Sequence, residues 1–216
     1  MMMKKIVLPI AIISMFTISS CDGDQSSEKE NTTAEQTCFY SYDATAGAQV
    51  RWTAFKTSDK VAVAGQFNQV NVTAGEKSTK ITDVLTAIKF NIPTSSINTT
   101  NEERDTKIVQ SFFGAMEATD IIFGQVKSAT GDNTSGTCVF YLTINNVEKE
   151  VILNYTVEDA TIQLVGEIDL TNFSAENAIA SLNNICKDLH KGTDGVSKTW
   201  TNVELSIKTT LKKVCH

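Results

Sequence analysis

From residue 37 onward, apolar and polar positions alternate with a period of two, the pattern of strands that bury one face. Val50, Trp52 and Ala54 alternate with Arg51 and Thr53, and Val61, Val63 and Phe67 with Ala62, Ala64, Gln66 and Asn68. Val84, Ile88, Phe90 and Ile92 share a parity, as do Phe140, Leu142 and Ile144. The same holds for Val151, Leu153, Tyr155 and Val157, for Ile162, Leu164, Ile168 and Leu170, and for Val203, Leu205 and Ile207. Turn chemistry separates these runs at Thr57-Ser58-Asp59-Lys60, Gly131-Asp132-Asn133, Asn145-Asn146 and Glu158-Asp159. Counting a short first strand at residues 39–43, about nine strands are predicted. The run from Val61 to Thr73 alone would span roughly 40 Å at ~3.3 Å per residue. Successive long strands with one apolar face predict a mainly β chain, an elongated antiparallel barrel of about eight strands. Two segments have helical spacing instead. Ile108, Val109, Phe112 and Phe113 predict a short helix over Glu102–Phe113, behind Asn98-Thr99-Thr100-Asn101. Ile179, Leu182, Ile185, Cys186 and Leu189 predict an amphipathic helix over Ala175–His190, with Ser174 as N-cap and Gly192 beyond its end.

The N-terminus has a different character. Lys4 and Lys5 precede an apolar stretch from Ile6 to Phe16, too short to span a bilayer and placed where a secretory signal belongs. Ser19 and Ser20 directly before Cys21 resemble the bacterial lipobox, which implies cleavage after residue 20 and lipid attachment at Cys21. Residues 22–36 hold five acids and one apolar residue, a composition that cannot bury enough surface to fold and reads as a flexible tether. The predicted organisation is therefore a signal peptide over 1–20, a lipidated Cys21 with tether over 21–36, and one domain over 37–216. Such a protein is exported to the cell envelope and held at a membrane by its N-terminal lipid.

The 216-residue chain has 19 basic and 25 acidic side chains, a formal charge of −6 that argues against nucleic-acid binding. Two histidines leave little room for His-based catalysis or a multi-His metal site. G-x-S-x-G, H-E-x-x-H, C-x-x-C, P-loop and G-x-G-x-x-G motifs do not occur. Arg104 and Asp105 have no partner base or nucleophile nearby in sequence and read as local pairing at a helix start, so no catalytic residue is expected. Four cysteines follow Cys21, and an oxidising compartment makes two disulfides the default. Strand parity, with every connection reversing direction, predicts Cys38–Cys186 and Cys138–Cys215. A less favoured arrangement has Cys186, His190, Cys215 and His216 as a metal-binding set, with poor geometry at the chain end. No metal is expected.

Val63-Ala64-Gly65-Gln66-Phe67 resembles the V-x-G-x-F run of the YceI-like family. Ser96-Ile97-Asn98-Thr99, then Asn101-Glu102-Glu103-Arg104-Asp105, resembles its S-I-x-T…N-x-x-R-D block, with Phe112-Phe113 following. Leu142-Thr143-Ile144-Asn145-Asn146-Val147-Glu148-Lys149-Glu150-Val151 is similar to its L-T-I-x-G-V-x-K-x-V hairpin. The likeness spans about residues 40–211. It departs from the family at Phe55-Lys56, where many members carry Lys-His, and in its longer helix 175–190. The resemblance implies a lipocalin-like barrel whose interior holds a polyisoprenoid or similar amphiphilic lipid, an isoprenoid quinone among them, with no other cofactor. The residues expected to line it are Val50, Trp52, Ala54, Val63, Phe67, Ile88, Phe90, Phe140, Leu142, Leu153, Tyr155 and Leu164. Phe112, Phe113 and Met116 form either its mouth or a plug. Periodicity by itself favours a packed core, since inward alternation occurs in every barrel. The alternative function is an envelope structural or interaction module with a filled core, and an enzyme acting on a lipid ranks last. Nothing in the sequence indicates an oligomeric state.

Overall fold

The period-two runs become strands in a computed structural model that describes residues 36–118 and 120–216. Cys21, the predicted signal peptide and residues 22–35 of the tether lie outside the described residues. The strands are β1 (Cys38–Tyr42), β2 (Ala48–Lys56), β3 (Val61–Phe67), β4 (Asn71–Thr73), β5 (Lys89–Pro93), β6 (Ile97–Asn98), β7 (Ile121–Gly131), β8 (Ser135–Ile144), β9 (Val147–Glu158), β10 (Thr161–Asp169) and β11 (Thr199–Cys215). They form one antiparallel sheet in the order β4-β5-β7-β8-β9-β10-β11-β2-β3-β6, with β1 added on β11. The sheet curls into a half-barrel around a single core. Two-residue turns join β8 to β9 and β9 to β10. Asn145, Asn146, Asp159 and Ala160 all adopt positive φ there, as the twist of tight hairpins demands.

The two sheet ends, β4 and β6, share no ladder, and the chain itself crosses the seam twice. Residues 68–70 carry β3 to β4, and a 3₁₀ turn, Thr94–Ser96, carries β5 to β6. The crossings hold each other, with Asn68 N donating to the Ser96 carbonyl at 2.8 Å. The strand predicted from Val61 to Thr73 is thus broken into β3 and β4 by the first crossing.

Helices differ from expectation in instructive ways. The strand predicted through Val84 is instead α1 (Ile81–Thr86), which buries Ile81, Val84 and Leu85. Val84 and Ile88 are four residues apart, a spacing that keeps one face in a helix and in a strand alike. Its cap comes from far away: Asn133 Oδ1 accepts from Ile81 N at 2.8 Å. The helix predicted over Glu102–Phe113 is α2 (Glu102–Lys107), followed by a π turn at Ile108–Phe112 and a 3₁₀ turn at Phe113–Ala115. Asn101 caps α2 by accepting from Arg104 N at 2.9 Å. The second predicted helix is α3 (Glu176–Ile185), shorter at both ends. Ser174 is not its N-cap. It takes a left-handed conformation closing the 3₁₀ turn Leu170–Phe173, and the Asn145 amide donates to the Phe173 and Ser174 carbonyls.

The predicted disulfides are corrected. Cys38 bonds Cys215, while Cys138 and Cys186 are free and buried. β1 and β2 are both antiparallel to β11 and pair with successive stretches of it, β1 with residues 211–215 and β2 with 199–209. The β1–β2 connection therefore does not reverse direction, and parity counting fails at its first step. Cys38 and Cys215 face each other in register. Cys138 sits mid-strand in β8 between Ala129 and Leu153, and burial pushes its thiol up to about 12. The Cys186, His190, Cys215, His216 set is not assembled either. His190 contacts Thr199 at one end of β11, and the Cys215 sulfur is bonded at the other.

Candidate functional site

One end of the barrel is filled. Cys138, Leu153, Tyr155, Ile162 and Leu164 are almost fully buried there, and α1 closes the end with Ile81 and Val84. Tyr155 Oη donates to the Asp132 carbonyl at 2.8 Å, which ties this floor to the β7–β8 turn. The other end holds a cavity of about 420 Å³, within the ~300–1,000 Å³ of small-molecule sites. Its wall is mainly apolar. Asn101, Glu103 and Leu189, all exposed, mark the mouth.

Glycines allow two large rings to fold back against the wall. Trp52 on β2 pairs with Gly65 on β3, and a β-carbon at Gly65 would overlap the indole ring. Phe90 on β5 pairs with Gly124 on β7, and a β-carbon there would overlap the Phe90 ring. Each ring takes up space over the adjacent strand that any other residue would fill. Gly65 in the V-x-G-x-F run thus has a direct physical reason. Trp52 Nε1 is buried without a hydrogen-bond partner among the described residues.

Of the residues predicted to line the interior, Val50, Trp52, Ala54, Val63, Phe67, Phe90, Phe112, Phe113 and Leu142 are on the cavity wall. Ile88, Met116, Phe140, Leu153, Tyr155 and Leu164 are not. Strand alternation turns Phe140, Leu153, Tyr155 and Leu164 inward, but they belong to the half of the lumen that the floor occupies. Phe140 stands behind Phe90, with ring centroids 6.3 Å apart. Ile88 follows α1 outside β5, and Met116 leaves its 3₁₀ turn in an extended conformation that buries it away from the wall. Sequence reading missed much of the upper wall. Ile168 on β10 and Val203, Leu205 and Ile207 on β11 line it, and their parity in the last strands was the available signal. α3 caps the cavity through Ile179 and Leu182, with Cys186 just beyond its end.

The mouth is polar and ordered by hydrogen bonds. Lys56 Nζ donates to the Leu189 carbonyl at 3.0 Å. Trp200 Nε1 donates to the Thr57 carbonyl at 2.8 Å, and the Lys198 ammonium stacks 3.4 Å from the Trp200 ring centroid. Arg104 donates from Nε to Thr99 Oγ1 and from Nη2 to the Thr99 carbonyl, each at 2.8 Å. Asp105 accepts from Thr99 N and Oγ1. The Arg-Asp pair therefore pins the chain entering α2, a structural use of the N-x-x-R-D block.

His190 Nδ1 is hydrogen-bonded to Thr199 Oγ1 at 2.8 Å and Asn183 Oδ1 at 3.2 Å. Burial holds its pKa below 6.5, and the nearby Lys56 charge lowers it further. The folded protein thus favours neutral imidazole. Between the depressed folded value and the unfolded value near 6.5, the unfolded chain binds more protons, so stability falls as pH drops below about 6.5. Denaturant unfolding at a series of pH values between 5 and 8 is expected to show this loss, and His190→Gln to flatten it.

The YceI-like domain family matches residues 40–211. No curated protein matches the chain. Its fold is similar to that of a Saccharophagus degradans protein described as a polyisoprenoid binding domain implicated in plant cell wall breakdown. The TM-score is 0.58 at 13% identity, over 82% of this chain and 99% of that one. Burkholderia cenocepacia BcnA is similar with a TM-score of 0.55 at 15% identity, over 80% of this chain and 99% of that one.

Proposed function

The chain belongs to the YceI-like family, and from that premise we propose that it binds an amphiphilic lipid, a polyisoprenoid or isoprenoid quinone, in its upper cavity. The observation that carries this reading is the division of one barrel interior into a packed floor and an apolar, open-mouthed cavity whose aromatic rings fold back over glycines. The polyisoprenoid binding domain named among its fold relatives supports the same ligand class. The role is carriage or sequestration, with no chemistry performed on the ligand. The lipobox-like Ser19-Ser20-Cys21 supports a further part of this reading, that the protein is exported to a bacterial envelope and tethered there by lipid on Cys21. A filled structural barrel remains the competing reading, and it suits the floor half of the interior only.

The floor sets a length limit. Each further methylene buried adds about 0.8 kcal/mol, close to fourfold in affinity. Affinity across a series of prenyl alcohols is expected to rise with chain length and then level off once the tail meets Phe140 and Tyr155. Competition against a fluorescent lipid measures the series. A flat series from the shortest member would mean that the tail does not enter.

A further inference from the structure

We propose that the outer face of the sheet carries a second site, a groove that binds a neutral oligosaccharide. It goes beyond the lipid reading and does not depend on it.

β5, β7 and β8 set two rows of outward side chains next to each other. Asn91, Phe123 and Thr143 pair across one row, and Lys89, Gln125 and Tyr141 across the next. Alternation sends their sequence neighbours Phe90, Ile122 and Leu142 to the internal cavity, so groove and cavity lie on opposite faces of one sheet. The groove holds about 330 Å³, at the lower end of the ~300–1,000 Å³ of small-molecule sites.

Its lining mixes one aromatic platform with neutral polar groups. Phe123 is 52% exposed, a large apolar face held in water by a strand. Asn91 Oδ1 accepts from Asn71 Nδ2 at 2.8 Å, which leaves the Asn91 amide group to donate outward. Gln125 and Thr143 make no side-chain hydrogen bond among the described residues. Amides and hydroxyls offer donors and acceptors side by side. A sugar ring has the matching pattern. The weakly positive C–H groups of its face are attracted to the negative face of an aromatic ring, and the hydroxyls around its rim both donate and accept.

Charge points to a neutral ligand. Lys89 on β5 and Glu148 on β9 border the groove from opposite sides and carry opposite charges. Glu150, on the strand beside Tyr141, is already paired with Lys127, whose ammonium also stands 5.1 Å from the Tyr141 ring centroid. A protein partner fits less well. A stable interface buries about 800 Å² per partner around an apolar centre. Here the one exposed ring lies among amides and hydroxyls, and the other large apolar side chain exposed on β7, Ile121, is outside the groove.

The test uses the full chain and a set of soluble probes, the linear hexasaccharides of glucose in α and β linkage, of mannose, of xylose and of N-acetylglucosamine, with oligogalacturonate as an acidic comparison. Titration calorimetry at low and high salt measures binding. At least one neutral hexasaccharide is expected to bind with an affinity that salt does not change. Phe123→Ala should weaken it at least tenfold with no loss in the unfolding midpoint, because the ring is already largely in water. Gln125→Ala with Thr143→Ala, which keeps the platform, should weaken it severalfold. Binding of no neutral hexasaccharide overturns the proposal; in that case, self-association of the wild type that Phe123→Ala abolishes would assign the ring to contact between copies. Sugar binding that survives Phe123→Ala also overturns it, as does binding confined to oligogalacturonate and lost in salt.

Discussion

Tyr155→Ala should destabilise the protein by about 3–5 kcal/mol, while Trp52→Ala, a larger truncation, should cost only roughly 1–3 kcal/mol. The two aromatic residues project into the same barrel. Tyr155 is 1% exposed, surrounded by floor residues and hydrogen-bonded through its hydroxyl to the Asp132 carbonyl. Its removal leaves an enclosed void and an unpaired acceptor. Trp52 already borders an open cavity, and its buried Nε1 has no partner, so truncation also removes an unsatisfied donor. Binding should respond in the opposite sense. Trp52→Ala removes a wall of the site and should weaken lipid retention, whereas Tyr155→Phe, which keeps the ring, should leave it unchanged. Denaturant unfolding together with lipid retention measures both effects. Equal and large stability losses for the two Ala variants, with no change in retention, would indicate a barrel packed throughout.

Breaking the Cys38–Cys215 bridge is the second large effect. The bond joins residues 177 apart in sequence, so it closes nearly the whole fold into a loop. Chain-entropy reasoning gives about 2–5 kcal/mol for its loss. Cys38→Ser with Cys215→Ser should lower the unfolding midpoint accordingly, with β1 freed from the end of β11 first. Hydrogen exchange should then show lost protection in residues 38–42 and 211–215 while β8, β9 and β10 remain protected. Loss of protection spread evenly over the sheet would contradict this order.

The strands were legible because their inner faces alternate over long runs and their turns carry Asn, Asp and Gly. The boundary between floor and cavity was not. Leu142 and Phe140 have the same parity on β8, yet one lines the cavity and the other the floor. The floor end is closed by α1, whose first amide, Ile81 N, donates to Asn133, 52 residues away. No local pattern encodes that contact. The V-x-G-x-F run carried the family resemblance, while the reason for its glycine, the meeting of Gly65 and Trp52 across two adjacent strands, is visible only in the fold. The disulfides were misread for a topological reason: β11 is 17 residues long and serves two consecutive strands, which sequence alternation presents as independent partners.

Native mass spectrometry of the exported full chain, followed by organic extraction, tests lipid binding most directly. The expected result is a protein mass carrying one additional hydrophobic molecule, which extracts as an isoprenoid-type amphiphile and is diminished in Trp52→Ala. A mass equal to that of the processed protein alone, unchanged after incubation with prenyl alcohols, prenyl phosphates and isoprenoid quinones, would contradict it.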